Sequence, residues 1–317
     1  MNNIRGFPIY EFQQRLLKLQ NKMKENEIDA VLITTQSNFN YFSGLVSRFW
    51  ESPTRPLYLI VKQNLNTPLA IVPDLLLKSM EKTFVKHIYT WDAPCLEDDG
   101  VSLLKKHLYE CNRVGLCMGV ETELRMSLGN LFKVKDYLDF DLIDVTEIIQ
   151  NIRLVKSDLE INKIKNVCQI TSKYFEDLPN YLKKINHKHL TERMVVNEFQ
   201  QLLLKNGVDT VKYIVGRRGK NGYCSVVDGP TDELLEANDI FVIDTGAVYD
   251  EYFCDFDRNY TIIGNDYTVV GNSHTIIGND CTVVEQLERY KKANHLLWEA
   301  TEKAFEMIKP NIRVKDI

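Results

Sequence analysis

The chain has 317 residues, 44% of them hydrophobic and 26% charged, and its formal net charge is −5. At a prior of about 150 residues per domain, that length suggests two domains of an ordinary globular protein. The acidic balance offers no basic surface to nucleic acid, no apolar run approaches the roughly 18 residues that span a membrane, and seven cysteines without a CxxC read as reduced thiols rather than a disulfide framework.

The opening stretch, MNNIRGFPIYEFQQR, has no signal-peptide core, so a cytoplasmic location is expected. Phe12, Leu16, Leu19 and Met23 recur at helical spacing, which predicts a helix over 10–27. Short apolar runs at 30–33, 57–61 and 70–72 predict buried strands, helical patterns return at 75–82 and 101–109, and 113–118 is a further strand. Strands alternating with helices indicate an α/β domain with a partly parallel sheet over 1–150. Ser157-Asp158-Leu159-Glu160 has the form of a capping box. It predicts a long helix to about residue 185 with Ile161, Ile164, Cys168, Phe175, Leu178 and Leu182 on its buried side. Thr191 is placed to cap a second helix that ends at Gly207. Strand signals follow at 211–215, 240–243, 252–256 and 260–263, and a last helix is expected over 285–308, before Pro310. Helices followed by antiparallel strands make 151–317 an α+β domain.

From Thr261 the chain reads TIIGNDY, TVVGNSH, TIIGNDC and TVVEQLE, four seven-residue units over 261–288, the last decaying. Each begins with a β-prone Thr and two β-branched residues, and the first three continue into a Gly-Asn turn signal. One reading is a β-rich docking surface with a β-helix-like pattern, although so few coils bury little core. The preferred reading is a duplicated stretch tolerated as a surface hairpin extension.

The densest chemistry lies between Ile240 and Tyr260. Asp244 closes an apolar strand, a costly place for a charge without a partner. Folding the segment about Tyr249-Asp250 sets Asp244 opposite Asp255, with side chains about 4.5–5.5 Å apart at Cβ, and puts Asp257 on the same face. Carboxylates so placed repel unless one is protonated or cations lie between them. The pair suits a two-metal site with ions about 3.5–4 Å apart. Hard oxygen ligands favour Mn, Mg or Ca, with Zn or Co also open. The plainer reading is a set of acids decorating an exposed hairpin.

Ile243-Asp244-Thr245-Gly246 followed by Tyr252-Phe253-Cys254-Asp255-Phe256-Asp257-Arg258 resembles the pattern IDxGxxxxGYxSDxTR of the creatinase, prolidase and aminopeptidase P superfamily. Ile28-Asp29-Ala30-Val31-Leu32-Ile33 and Asn38-Phe39-Asn40-Tyr41-Phe42-Ser43-Gly44 resemble its N-terminal creatinase-like domain. Ile152-Arg153-Leu154-Val155-Lys156-Ser157-Asp158-Leu159-Glu160-Ile161 resembles its linker into the catalytic domain, and Leu296-Leu297-Trp298-Glu299-Ala300 with Lys309-Pro310 resembles the helix after the Asp pair. The resemblance implies a creatinase-like α/β domain followed by an incomplete pita-bread catalytic domain. It implies a two-ion site for Mn, Zn or Co, with Asp244 and Asp255 as metal ligands. Asp257 stands where the family has Thr and Glu251 where it has Gly; Asp257, Arg258 and Arg55 are possible accessory residues. Arg55, between Thr54 and Pro56, reads equally as a substrate-carboxylate ligand reaching a neighbouring subunit and as a structural arginine.

Two departures qualify what the resemblance implies. The family's remaining ligands, a His in an HxxGxxxHE-like stretch and two Glu, have no counterpart in the chain, and none of His87, His107, His187, His189, His274 or His295 lies in such a motif. The peptidases' upstream pHxxP stretch corresponds to Cys224–Asp232, which has no His. The expectation is therefore an Xaa-Pro aminopeptidase- or prolidase-like metallohydrolase that is inactive alone and binds metal weakly, if at all. It is also expected to need a homodimer or a complementing C-terminal fragment, and to act on a peptide or small amide. A non-catalytic binding or dimerisation module and a same-fold hydrolase or lyase of a small zwitterion are the alternatives.

Overall fold

The computed structural model describes residues 5–185, 190–219, 225, 227–236, 239–263, 268–270 and 281–317, and the chain divides into two units, 1–159 and 160–317. The first unit begins with α1 (Ile9–Glu25) and β1 (Ala30–Ile33), then α2 (Gln36–Ser43), β2 (Tyr58–Lys62) and β3 (Leu69–Pro73). It continues through α3 (Leu77–Met80), β4 (His87–Trp91), α4 (Val101–Leu108), β5 (Arg113–Leu116), α5 (Leu128–Leu138), β6 (Asp141–Asp144) and α6 (Thr146–Leu154). Its six-stranded sheet runs β4-β3-β2-β1-β5-β6, with β3–β4, β1–β5 and β5–β6 parallel and the other pairs antiparallel.

All four residues of β1 are buried because both sheet faces are covered. Val31 and Ile33 join Phe12, Leu16, Leu19 and Met23 of α1 on one side, while Ala30 and Leu32 join Leu104, Leu108 and Val134 on the other. The period of two along the strand thus feeds two cores. β4 and β6 lie at the sheet edges with mixed exposure, and β6 reads Asp-Leu-Ile-Asp. Neither carries the apolar run that marks a central strand.

The second unit contains α7 (Asp158–Ile185), α8 (Glu192–Lys205), β7 (Thr210–Gly219), β8 (Ile240–Tyr249), β9 (Tyr252–Phe253), β10 (Phe256–Ile263), β11 (Thr268–Val270) and α9 (Cys281–Met307). Its antiparallel sheet runs β11-β10-β8-β7, with β9 paired to β8. The helices α7 and α8 cover one face, where Phe175, Leu178, Phe199 and Leu203 pack with Phe241, Ile243, Tyr260 and Ile262. Gly216 permits that contact: a Cβ there would fall 2.2 Å from Val196 Cγ2. Thr191 caps α8 by accepting from the Met194 amide at 3.2 Å.

Two expectations fail in this unit. Ile161 is 49% exposed, whereas Glu160, Lys163 and Val167 turn inward along the first turns of α7. The inward face there is polar because it meets the β8–β9 turn. The repeat over 261–288 is not uniformly β. Its first two units pair as a hairpin, Thr261 with Val270 and Ile262 with Val269, but Thr282-Val283-Val284 lies in α9. In that last unit Glu285-Gln286-Leu287 replaces the Gly-Asn turn with helix formers. Residues 275–280 of the third unit lie outside the described residues. α9 exposes Leu296, Leu297, Trp298, Phe305 and Met307.

Candidate functional site

The site is built on the hairpin of β8, β9 and β10. Its turn is Asp250-Glu251, both at positive φ, 50° and 69°. Two such residues match the right-handed strand twist in the manner of a type I′ turn. Asp250 is fixed by an ion pair with Lys163 of α7, the two side chains being 10% and 7% exposed. Its amide donates to Asp209 Oδ2 at 2.6 Å, and Tyr252 donates to Glu160 Oε1 at 2.7 Å. These contacts centre the turn one residue later than expected. Tyr249 pairs with Tyr252, and Asp244 faces Asp257 rather than Asp255. Each partner moves by two residues, so the carboxylates remain on one face of the sheet.

That face points away from the helices. Directly opposed residues share a face, and the neighbours Ile243 and Tyr260 on the other face are in the core. Asp255 is exposed just before β10 and remains beside Asp244 through Tyr213 of β7, whose hydroxyl donates to Asp255 Oδ1 and lies 3.3 Å from Asp244 Oδ1. Tyr213 pairs with Gly246, and a Cβ on Gly246 would fall 2.5 Å from the tyrosine ring and 2.6 Å from that of Phe253. The missing side chain is what allows the ring to cross the strand to the carboxylates.

The electrostatics follow from this crowding. Burial first, and then the Asp255 and Asp257 charges, hold the Asp244 carboxyl above its usual range, against the lowering effect of the Tyr213 hydrogen bond. Burial and the bond to Asp255 push the Tyr213 hydroxyl well above the ordinary phenol range. The excess of negative charge and the all-oxygen donors fit a divalent cation. Among the described residues, no group of three or more His, Cys, Asp or Glu side chains is placed to hold a metal ion.

The other candidate residues are placed differently. Arg258 pairs with Ile243, and its guanidinium lies over Phe175 and Phe256, at 5.8 and 5.3 Å from the ring centroids. That puts it on the helix-covered face, away from the carboxylates. Arg55 is half-buried in the first unit. His295 sits 3.3 Å from Glu299 on α9, His87 is in β4 and His107 in α4. His187, His189 and His274 lie outside the described residues. Tyr213 carried no signal in the sequence, because its role depends on facing Gly246 across two strands.

Comparison with known proteins adds the following. Residues 15–155 match the family described as Creatinase/Prolidase N-terminal domain, and residues 162–317 match Metallopeptidase family M24. An uncharacterized peptidase of Staphylococcus aureus is 24% identical over 310 residues, covering 96% of this chain and 76% of that protein. The Xaa-Pro dipeptidase of Pyrococcus furiosus is 26% identical over 311 residues, covering 96% and 75%. Among solved structures, the prolidase from Pyrococcus horikoshii OT3 superposes with a TM-score of 0.72 at 22% identity, covering 96% of this chain and 74% of that one. An Xaa-Pro dipeptidase from Bacillus anthracis gives 0.64 at 18% identity, covering 80% and 66%. At these identities the structural likeness speaks for the fold.

Proposed function

The chain belongs to the creatinase/prolidase superfamily with the pita-bread fold, and from that membership we propose that it is the Asp-bearing part of a metal-dependent Xaa-Pro peptidase. The observation that carries the proposal is the juxtaposition of Asp244 and Asp255 about one tyrosine hydroxyl, with Asp257 opposite Asp244. Asp244 and Asp255 would hold the cations, and Asp257 adds a third negative charge. Bound divalent ions would supply an activated water and polarise the amide carbonyl of a peptide. The buried strand beneath Asp244 and the Lys163–Asp250 anchor keep the two carboxylates in register.

On this reading the hairpin offers two ligands, and the metal affinity they confer is low. Two other readings rest on single features. The exposed apolar side chains of α9 favour a binding or dimerisation module. The lack of a His in Cys224–Asp232 favours a small zwitterionic substrate over a peptide.

The test is an assay of the purified chain with Mn2+, Co2+ or Zn2+ against Xaa-Pro dipeptides and small amides. It compares the wild type with Asp244→Asn. Metal-dependent Xaa-Pro hydrolysis that vanishes in Asp244→Asn supports the peptidase. Hydrolysis undiminished in Asp244→Asn would contradict the peptidase reading, and turnover of small amides alone would favour the zwitterion reading.

A further inference from the structure

We infer that Tyr213 is the positioning residue of the metal site, its hydroxyl fixing Asp255 against Asp244 from outside the coordination sphere. The inference rests on the reading of Asp244 and Asp255 as metal ligands. Its geometric basis is independent of that reading. Tyr213 touches both carboxylates, bonding Asp255 Oδ1 and standing 3.3 Å from Asp244 Oδ1.

Each carboxylate has two oxygens and about four acceptor sites. The tyrosine engages one oxygen of each, which leaves the second oxygen of both for a cation. Asp255 needs such a partner more than Asp244 does. Asp244 rises from the middle of a ten-residue strand paired on both sides, whereas Asp255 is exposed and lies between β9 and β10. Without an anchor its side chain spreads over several rotamers, and a cation must collect it at an entropic cost. The ring reaches across because Gly246, its partner on β8, has no Cβ to block it. Gly246 and Tyr213 are thus a matched pair: the glycine opens the path and the tyrosine uses it.

Groups that orient metal ligands through hydrogen bonds typically contribute about 10- to 100-fold to metal affinity. The experiment is a Mn2+ titration followed by the electron paramagnetic resonance signal of the free ion. It uses the full 317-residue wild type, Tyr213→Phe, and the control Tyr181→Phe, which loses a hydroxyl bonded to Glu198 between α7 and α8. Thermal melts of all three without metal establish that each is folded. The expected result is that Tyr213→Phe melts cooperatively like the wild type and binds Mn2+ about 10- to 100-fold more weakly, while Tyr181→Phe binds as the wild type does.

Equal or tighter Mn2+ binding by Tyr213→Phe overturns the inference and leaves the metal site standing; tighter binding identifies the hydroxyl as a competitor for the carboxylates. A similar loss in Tyr181→Phe reduces the effect to general destabilisation and also overturns it. A wild type that takes up no Mn2+ overturns both the inference and the metal reading beneath it.

Discussion

Asp244 is an acid held in a place that disfavours its charge, by burial and by two neighbouring carboxylates. Its folded-state pKa lies above the unfolded value, so the folded metal-free chain binds the proton more tightly. The stability linked to this group is fully present below the unfolded carboxyl pKa of about 4 and is lost as pH rises through the folded value. Asp244→Asn removes that dependence. Urea midpoints measured in EDTA across this acidic range and at neutrality are expected to fall with rising pH less in the variant than in wild type. The variant is also expected to be the more stable of the two at neutral pH. An unchanged slope, or a variant less stable than wild type at neutrality, would mean that Asp244 is not under repulsion.

Elements transmit these demands. The hairpin turn uses Asp250 and Glu251 at positive φ, where glycine or asparagine is the usual solution. The ion pair to Lys163 is what makes that turn tenable. Lys163→Met leaves Asp250 charged in a nearly closed site and is expected to cost about 3–5 kcal/mol, read as a shift in urea midpoint. A loss below about 0.5 kcal/mol, as for an exposed pair, would remove the anchor from the account. Gly246→Ala drives a methyl into the Tyr213 and Phe253 rings and is expected to cost about 1–3 kcal/mol and to weaken metal binding as well. Full Mn2+ affinity in a folded Gly246→Ala would show that the ring need not cross the strand.

This scale also shows what sequence can and cannot disclose. The stripe Phe12-Leu16-Leu19-Met23 and the run Ala30–Ile33 define α1 and β1 directly, because periodicity and burial agree there. The hairpin was legible as a hairpin, yet its register was not. The turn residues give no Gly signal, and the contacts that centre the turn come from α7 and from Asp209. For the same reason Ile161 read as core although Lys163 holds that position, the partner Asp250 being 87 residues away. Tyr213 lies further still from view, since it matters only once β7, β8 and β10 are side by side.

At the scale of the whole molecule the salient feature is α9, whose Leu296, Leu297, Trp298 and Phe305 stand exposed. Apolar surface of this kind marks an interaction site or an aggregation liability. The 317-residue chain is expected to bind 8-anilinonaphthalene sulfonate and to self-associate by light scattering, and the double change Leu297→Glu and Phe305→Glu is expected to reduce both. A monomer that binds no dye and melts cleanly above about 65 °C, beyond the ordinary mesophile range, would contradict this.

The central claim is that Asp244 and Asp255 act together as ligands for a divalent cation. Calorimetric titration of Mn2+ into wild type, Asp244→Asn and Asp255→Asn tests it most directly. The account expects weak but saturable uptake by the wild type and its loss in each variant, because neither carboxylate holds the ion alone. Equal uptake by all three proteins would place the cation elsewhere and contradict the site.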